Sequence, residues 1–306
     1  MIIKNEVPLI EKIERLFQQQ LRVWPLLASG TEGLARAKTR PVTIDWFDVH
    51  VRHIPHRVIS TTAAVDRVSI ERRPCFLCRQ NMPPEQEGVE FNEDFTIYCN
   101  PYPIVDRHVT IVQREHTLQR IAGQLGVFLD LAKALPGYFV VYNGPECGAS
   151  APDHLHFQAG LRKLFPIESD SKNLTGPTIP KYARNVFLFR SGDREHLAHE
   201  IENTIGVLSA VTGKPEEPLI NMAAFHDVKT GWNVYLFPRG KHRPQVFYTG
   251  ELTVSPASID LCGIFVAPLE KDFERISAQD IASIFKEVTL PDEQVKQVLA
   301  RREGQR

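Results

Sequence analysis

Two histidines and a glutamine alternate along one short stretch of the sequence, His154-Leu155-His156-Phe157-Gln158. This run is typical of a β-strand, in which alternate side chains share a face. The three polar side chains would then point one way, and the apolar residues between them would point into the core. A neutral imidazole attacks phosphorus without prior deprotonation and can leave again, which divides one displacement into two steps. The pattern favours displacement at phosphorus, and a pair of half-buried structural histidines is the alternative.

A glycine-rich loop stands immediately before this strand and strengthens the catalytic interpretation. Such a loop can bring backbone N–H groups and a hydroxyl close to phosphate oxygens. Together with the amide of Gln158, these donors would stabilise charge on the non-bridging oxygens. We expect phosphate or nucleotide contacts from Asn143, Gly148, Ala149 and Ser150.

Cys75 and Cys78 are spaced like one knuckle of a tetrahedral zinc site, which needs two further ligands. The sequence has no second C-x-x-C pair, so histidines would have to complete the site. His116 and His154 are candidates, and His108 competes with them. A thioredoxin-like redox pair and two buried structural thiols are the alternatives, although no glycine-proline turn or βαβ pattern surrounds the cysteines. The spacing alone does not decide between zinc and the other interpretations.

Two basic segments are further candidates for anion binding. Pro238–Arg243 is a compact basic turn after a strand, in which Arg239 and Lys241 would hold a phosphate or simply decorate the end of a hairpin. Arg57 ends a basic group upstream of the cysteine pair and would line an anion pocket.

Composition and charge exclude several classes of protein. The 306 residues carry 36 Lys+Arg against 37 Asp+Glu, a net charge of −1, which argues against an extended nucleic-acid surface. No run approaches the ~18 apolar residues of a membrane span. The N-terminus meets charges too early for a secretory signal, and five cysteines, an odd number, disfavour a disulfide framework. We expect a cytoplasmic globular protein bound to neither membrane nor nucleic acid.

The elements that must position these residues follow an α+β order. Helical spacing predicts helices over 8–27, 117–134 and about 192–212, and 28–44 has the composition of a surface loop. Strands are predicted on both sides of the second helix and of the glycine-rich loop, an order that differs from a regular βαβ alternation. A polar segment at 168–180 separates two halves of similar outline.

At these residues the sequence resembles a known family. The run His154–Ala159, followed by Phe165-Pro166-Ile167-Glu168, resembles the GDP-hexose phosphorylases of the galactose-1-phosphate uridylyltransferase branch of the histidine triad superfamily. The stretch Ser255–Ile259 is similar to the C-terminal half of these enzymes. The resemblance implies antiparallel sheets with flanking helices in two histidine-triad-like halves: a catalytic, zinc-containing half at 1–167 and a second half at 181–306.

The resemblance also implies roles for individual residues. His156 would form a nucleotidyl-histidine intermediate, and Gln158 would bind the transferred phosphate; glutamine at this position, where hydrolases of the superfamily usually have a third histidine, favours transfer over hydrolysis. The uridylyltransferase branch binds a closed, structural zinc through residues that match Cys75, Cys78, His116 and His154. The spacing from Ser150 to His154 is one residue longer than in that branch, with Asp153 inserted.

The expected activity is that of a nucleotidyltransferase: NDP-hexose plus phosphate gives hexose-1-phosphate plus NDP. Two alternatives use the same chemistry, a dinucleoside polyphosphate phosphorylase and a hexose-1-phosphate nucleotidylyltransferase. A nucleotide-binding regulatory protein is the non-enzymatic alternative. The resemblance further suggests a homodimer. Nothing among the aromatic residues distinguishes guanine, adenine and uracil.

Overall fold

The computed structural model describes residues 7–162 and 165–304. Its six longer helices are α1 (Leu9–Val23), α2 (Pro25–Ala35), α3 (Leu125–Ala134), α4 (Arg194–Thr212), α5 (Ala278–Val288) and α6 (Asp292–Glu303). Its strands are β1 (Lys38–Ile44), β2 (Phe47–His53), β3 (Gly88–Glu90), β4 (Phe95–Cys99), β5 (Val109–Gln113), β6 (Tyr138–Asn143), β7 (His156–Leu161), β8 (Phe187–Ser191), β9 (Ile220–Asp227), β10 (Gly231–Pro238) and β11 (Ile264–Ala267). Short helical turns cover Pro55–Arg57, Val58–Thr61, Arg67–Glu71, Arg79–Asn81, Pro166–Ser171, Gln245–Tyr248, Ser258–Leu261 and Glu270–Arg275.

One eight-stranded antiparallel sheet runs through both halves of the chain, in the order β3-β4-β5-β7-β6-β9-β10-β8. The halves meet where β6 pairs with β9, with Val140 opposite Ala224. Each residue of β6 is buried, because this strand lies in the middle of the sheet and both of its faces are covered. The fold is α+β, as predicted, and this large sheet is antiparallel throughout.

The two faces of the sheet support two separate apolar cores. Side chains alternate between the faces, so Tyr138 and Val140 of β6 belong to one core, while Phe139 and Val141 belong to the other. Helices α1, α3, α4 and α6 cover the first face. A small sheet of order β1-β2-β11, together with α5, covers the second. Strand β11 comes from the second half of the chain and pairs in parallel with β2 of the first half. Both halves therefore contribute to the small sheet. The predicted domain ranges, whose outermost residues lie outside those described, stay a prediction.

The segment predicted as a loop at 28–44 contains the second half of α2 and the whole of β1. Its glycines suggested a loop, but Gly30 lies inside the helix for a packing reason. A Cβ at that position would stand 2.0 Å from the carbonyl oxygen of Pro101, so no larger residue fits. The helix itself begins at Pro25, a position where proline is well tolerated.

The helix predicted over 117–134 is confined to α3, which begins at Leu125. The residues before it instead bind the loop that precedes β7. The Leu155 N–H donates to the Thr117 carbonyl at 2.8 Å, and the Gln119 N–H donates to the Pro152 carbonyl at 3.3 Å. These tertiary hydrogen bonds override the helical spacing and hold the start of β7 in place.

None of the described helices has the length and apolar character needed to cross a membrane.

Candidate active site and metal cluster

Four side chains from three separate segments meet beside the start of β7. Cys75 Sγ lies 3.3 Å from His154 Nδ1, and Cys78 Sγ lies 3.2 Å from His116 Nδ1 and 3.6 Å from His154 Nδ1. All four ligand atoms lie within 4.8 Å of one another. Tetrahedral zinc, with bonds of about 2.0–2.3 Å, separates its ligand atoms by roughly 3.3–3.8 Å. The cluster has the donor types and the spacing to hold a metal ion.

Neighbouring groups set the protonation of His154 and lie close to His116. His154 donates its Nε2 hydrogen to the Gln113 carbonyl at 2.7 Å, which leaves Nδ1 unprotonated on the side of the cysteines. The inserted residue, Asp153, accepts a hydrogen bond from Arg73 at 3.0 Å, and its other oxygen stands 3.9 Å from His116 Nε2. Such outer contacts fix ring orientation in metal sites.

The expectation that three side chains share one face changes at His154. This residue precedes β7 and belongs to a turn in which its N–H donates to the Ala151 carbonyl at 3.2 Å. Its ring therefore faces the cysteines, whereas His156 and Gln158 line a cavity of about 570 Å³ beside the sheet. The candidate competing ligand, His108, lies outside the cluster and contacts Gln158.

His156 is a buried, neutral imidazole with one nitrogen engaged. Its Nδ1 donates to the His154 carbonyl at 2.8 Å. The other nitrogen, Nε2, makes no hydrogen bond within the described part of the chain. Burial is the main reason why the pKa of His156 falls to about 4, so the ring is uncharged near neutral pH. The lone pair of Nε2 is thereby available for attack on a ligand in the cavity.

Gln119 holds the backbone around His156 and could not be recognised from the sequence. Its Oε1 accepts the His156 N–H at 2.8 Å, while its Nε2 donates to the carbonyls of Asn143 and His156 at 2.8 and 3.0 Å. The side chain is fully buried and joins the end of β6 to the start of β7. A lone glutamine within an apparently helical pattern carries no signal of this contact.

The glycine-rich loop lies against the same cavity. Asn143, Gly148, Ala149 and Ser150 all line it, as does Arg57. Gly148 has φ +96°, and a Cβ there would lie 2.7 Å from the Cβ of Ala257, so both its conformation and its surroundings require glycine. The loop backbone can therefore approach a ligand closely.

The cavity lining combines apolar and cationic side chains. The apolar lining consists of Trp24, Leu26, Phe76, Leu77, Met82 and Tyr98. The cationic lining consists of Arg57, Arg73 and Arg243, and Arg73 lies over the Phe76 ring at 4.8 Å from its centroid. Arg243 is held by Ser255 Oγ at 3.1 Å and by the carbonyls of Thr61 and Ala63, both at 3.0 Å.

The basic turn contributes different residues from those expected. The Arg239 side chain is buried and donates to the carbonyls of Val288 and Pro256, both at 3.0 Å, and to Asn221. Lys241 pairs with Glu287 at 2.8 Å. Neither residue lines the cavity, because the turn directs Arg239 into the protein interior and Lys241 towards solvent. Arg243 lines the cavity instead, in the role that the sequence suggested for Arg239 and Lys241.

The whole fold is similar to that of a solved enzyme. Yeast Ap4A phosphorylase Apa2 superposes with a TM-score of 0.65 at 17% identity, over 95% of this chain and 99% of that one. Apa2 in complex with Ap4A gives a TM-score of 0.63 at 13% identity, over 92% and 98% of the two chains. At these identities the similarity establishes the fold.

Two family models match consecutive parts of the sequence. Residues 16–161 match a domain of unknown function (DUF4922), and residues 177–301 match the GDPGP1-like C-terminal domain. The two matches together cover most of the chain, and the whole chain has the fold of the Ap4A phosphorylase Apa2. No curated protein matches this sequence.

Proposed function

We propose that this protein transfers a nucleotidyl group from a nucleotide sugar to phosphate by way of His156. The observation that carries the proposal is the neutral imidazole of His156 in the cavity, with Nδ1 bound to the His154 carbonyl and Nε2 left without a partner in the described chain. A nucleophile of this kind needs no external base to activate it.

The reaction has two displacements at the same phosphorus atom. In the first, Nε2 of His156 attacks the α-phosphorus, a P–N bond forms, and the P–O bond to the departing hexose-1-phosphate breaks. The positive charge that develops on the ring is stabilised by the hydrogen bond from Nδ1 to the His154 carbonyl. In the second, an oxygen of inorganic phosphate attacks, the P–N bond breaks, and NDP is released with neutral His156 restored.

The two kinds of side chain in the cavity lining suit different parts of a nucleotide substrate. Phe76, Leu77 and Tyr98 offer apolar and aromatic surface for contact with a nucleobase. Arg57 and Arg243 suit the anion that leaves first and the phosphate that enters second. Gln158 and the loop at Gly148 would contact the transferred phosphate.

The metal proposed for the cluster is a structural zinc ion. Two cysteines and two histidines form a closed set of four ligands, as in structural zinc sites, and zinc bound there would stabilise the fold. Phe76 and Leu77 lie between the two cysteines and line the cavity. The same ion would therefore also fix this part of the apolar lining. A cytoplasmic location and a homodimer remain predictions.

A dinucleoside polyphosphate is the second candidate substrate. The similarity to the Ap4A phosphorylase covers nearly the whole of both chains and favours it, whereas the GDPGP1-like match favours a nucleotide sugar. Both substrates would give the same intermediate on His156 and would differ only in the group that leaves.

Incubation with α-³²P-labelled substrates tests the proposal directly. We expect a protein-bound label that is stable to base and labile to acid, as a phosphoramidate is, and that is discharged as labelled NDP when phosphate is added. The panel comprises UDP-, GDP-, ADP- and CDP-sugars and Ap4A, which identifies the base and the leaving group together. No label with any of them would contradict a transferase. Tight nucleotide binding in calorimetry without label would instead support a binding protein.

Arg243 should govern the use of phosphate. We expect Arg243→Met to raise the KM for phosphate by about 10–100-fold, because hydrogen bonds to a charged group contribute about 1.5–3 kcal/mol. Affinity for the nucleoside monophosphate of the active base should stay the same, since we assign the base to Phe76, Leu77 and Tyr98. Lys241→Met is the matched control: it removes the same charge two residues away, outside the cavity lining. An equal effect of both substitutions would show a diffuse electrostatic effect and contradict the assignment.

A further inference from the structure

We propose that His108 is a positioning residue that fixes the amide of Gln158 with its NH2 group towards the cavity. This inference rests on the proposed function for its effect on rate, but its geometric content is independent of it. His108 is fully buried, immediately precedes β5, and contacts the adjacent strand β7 through Gln158.

The surroundings of His108 determine which of its ring nitrogens carries the proton. The Ile104 N–H donates to His108 Nδ1 at 3.2 Å. A backbone amide can only donate, so Nδ1 must be unprotonated, and the proton of the neutral ring lies on Nε2. Burial, reinforced by the charge of Arg57, lowers the pKa of His108 to about 3, so the ring stays neutral.

The protonated Nε2 in turn determines the orientation of the glutamine amide. His108 Nε2 lies 3.0 Å from Gln158 Oε1. An amide can rotate by half a turn to exchange its oxygen and nitrogen, but only the oxygen accepts a hydrogen bond from an N–H group. The amide NH2 therefore points away from His108, on the side of Gln158 that lines the cavity.

This orientation presents a hydrogen-bond donor, and not an acceptor, to the phosphate oxygens. The NH2 group donates to a non-bridging oxygen, and charge that develops there is stabilised without reorganisation. The reversed amide would turn its oxygen towards anionic phosphate and leave two N–H donors facing each other next to His108. The pairing of Thr110 with Gln158 across β5 and β7 keeps the two backbones in register, so the chain Ile104–His108–Gln158 is held by the sheet itself.

A double-mutant cycle tests the proposal through the rate of formation of labelled protein. Gln158→Ala should slow labelling by about 100-fold, the usual effect of losing one donor to a developing oxyanion. His108→Leu should slow it to a similar degree, with a smaller change in KM than in kcat. The double variant should be no slower than the slower single one, because His108 acts only through Gln158. His108→Gln places an amide donor near Nε2 and should recover most of the loss.

Thermal unfolding of each variant separates positioning from damage to the fold. Additive losses in the double variant, or no recovery with His108→Gln in a protein of wild-type melting temperature, would overturn the proposal. If His108→Leu fails to fold, the tautomer measured by nitrogen-15 NMR gives the decision in its place.

Nitrogen-15 NMR of the imidazoles tests the geometry even if no substrate labels the protein. We expect His108 to be protonated on Nε2 and not on Nδ1 from about pH 5 to pH 8, and its Nε2 hydrogen to exchange faster with solvent in Gln158→Ala. Protonation on Nδ1 would refute the arrangement. Lack of labelling together with the expected tautomer would count against the proposed function alone.

Discussion

Replacement of His156 by asparagine should reduce nucleotidyl transfer by roughly 10⁴-fold or more and abolish the protein-bound label, because no other group supplies the nucleophile. Asparagine is the informative substitution. Its side-chain NH2 can still donate to the His154 carbonyl, the bond that His156 Nδ1 makes at 2.8 Å, so the turn before β7 is retained. Calorimetry should then show that the nucleoside monophosphate still binds. Rate measurements on the labelled substrate provide the test.

His226 supplies the control for this substitution. It lies on β9, with its ring centroid 4.7 Å from that of Trp232, and it does not line the cavity. His226→Asn removes an imidazole from the same sheet and should leave labelling within about twofold, as expected for a surface change. Residual covalent label on His156→Asn would mean that a different residue is the nucleophile, and the assignment of His156 would fail.

Replacement of Cys75 by serine should release the bound zinc and lower the melting temperature by roughly 6 °C. Zinc present at a thousandfold excess over its Kd contributes about 4 kcal/mol to folding, and in a chain of 306 residues each kcal/mol shifts the melting temperature by ~1.6 °C. The variant should contain no zinc by elemental analysis. Because Phe76 and Leu77 line the cavity, its nucleotide affinity should fall as well.

Cys262→Ser is the matched control for the metal. Cys262 is likewise buried and lies outside the cluster, so this variant measures the cost of placing a hydroxyl in the core while zinc is retained. A chelator should destabilise the wild type and the control, but not Cys75→Ser. Wild-type protein that contains no metal and loses no stability on chelation would refute the zinc assignment.

Local patterns in the sequence predicted the parts of this site that depend on neighbouring residues. The alternation through His156 and Gln158 correctly indicated a strand, since both side chains line the cavity from β7. The C-x-x-C spacing was compatible with a ligand pair but did not decide for it, and the structure brings His116 and His154 to the two cysteines. Periodicity and spacing depend only on neighbouring residues. They predict the structure correctly here because no tertiary contact at these positions opposes them.

The parts that the sequence did not reveal depend on contacts between distant segments. Arg239 and Arg243 stand four positions apart in one basic turn, yet one is buried among carbonyl groups and the other lines the cavity. Arg239 is held by the carbonyl groups of Val288 and Pro256, and Arg243 is held by Ser255 Oγ. These partners are distant in sequence. The tautomer of His108 is set in the same way, by the backbone N–H of Ile104 in the turn before β5. Charge and spacing do not encode such partners.

The pairing of β6 with β9 has a consequence for how this architecture can change over time. Either half alone would expose a long, apolar central strand with unpaired backbone groups, a template for aggregation. The cavity is also shared: His156 and Phe76 come from one half, and Arg243 comes from the other. Neither half is therefore an interchangeable module. In the proposed mechanism, a new leaving group or acceptor can be accommodated by substitutions around Arg243 while His156 is retained, so substrate range and chemistry can evolve in different halves of the chain.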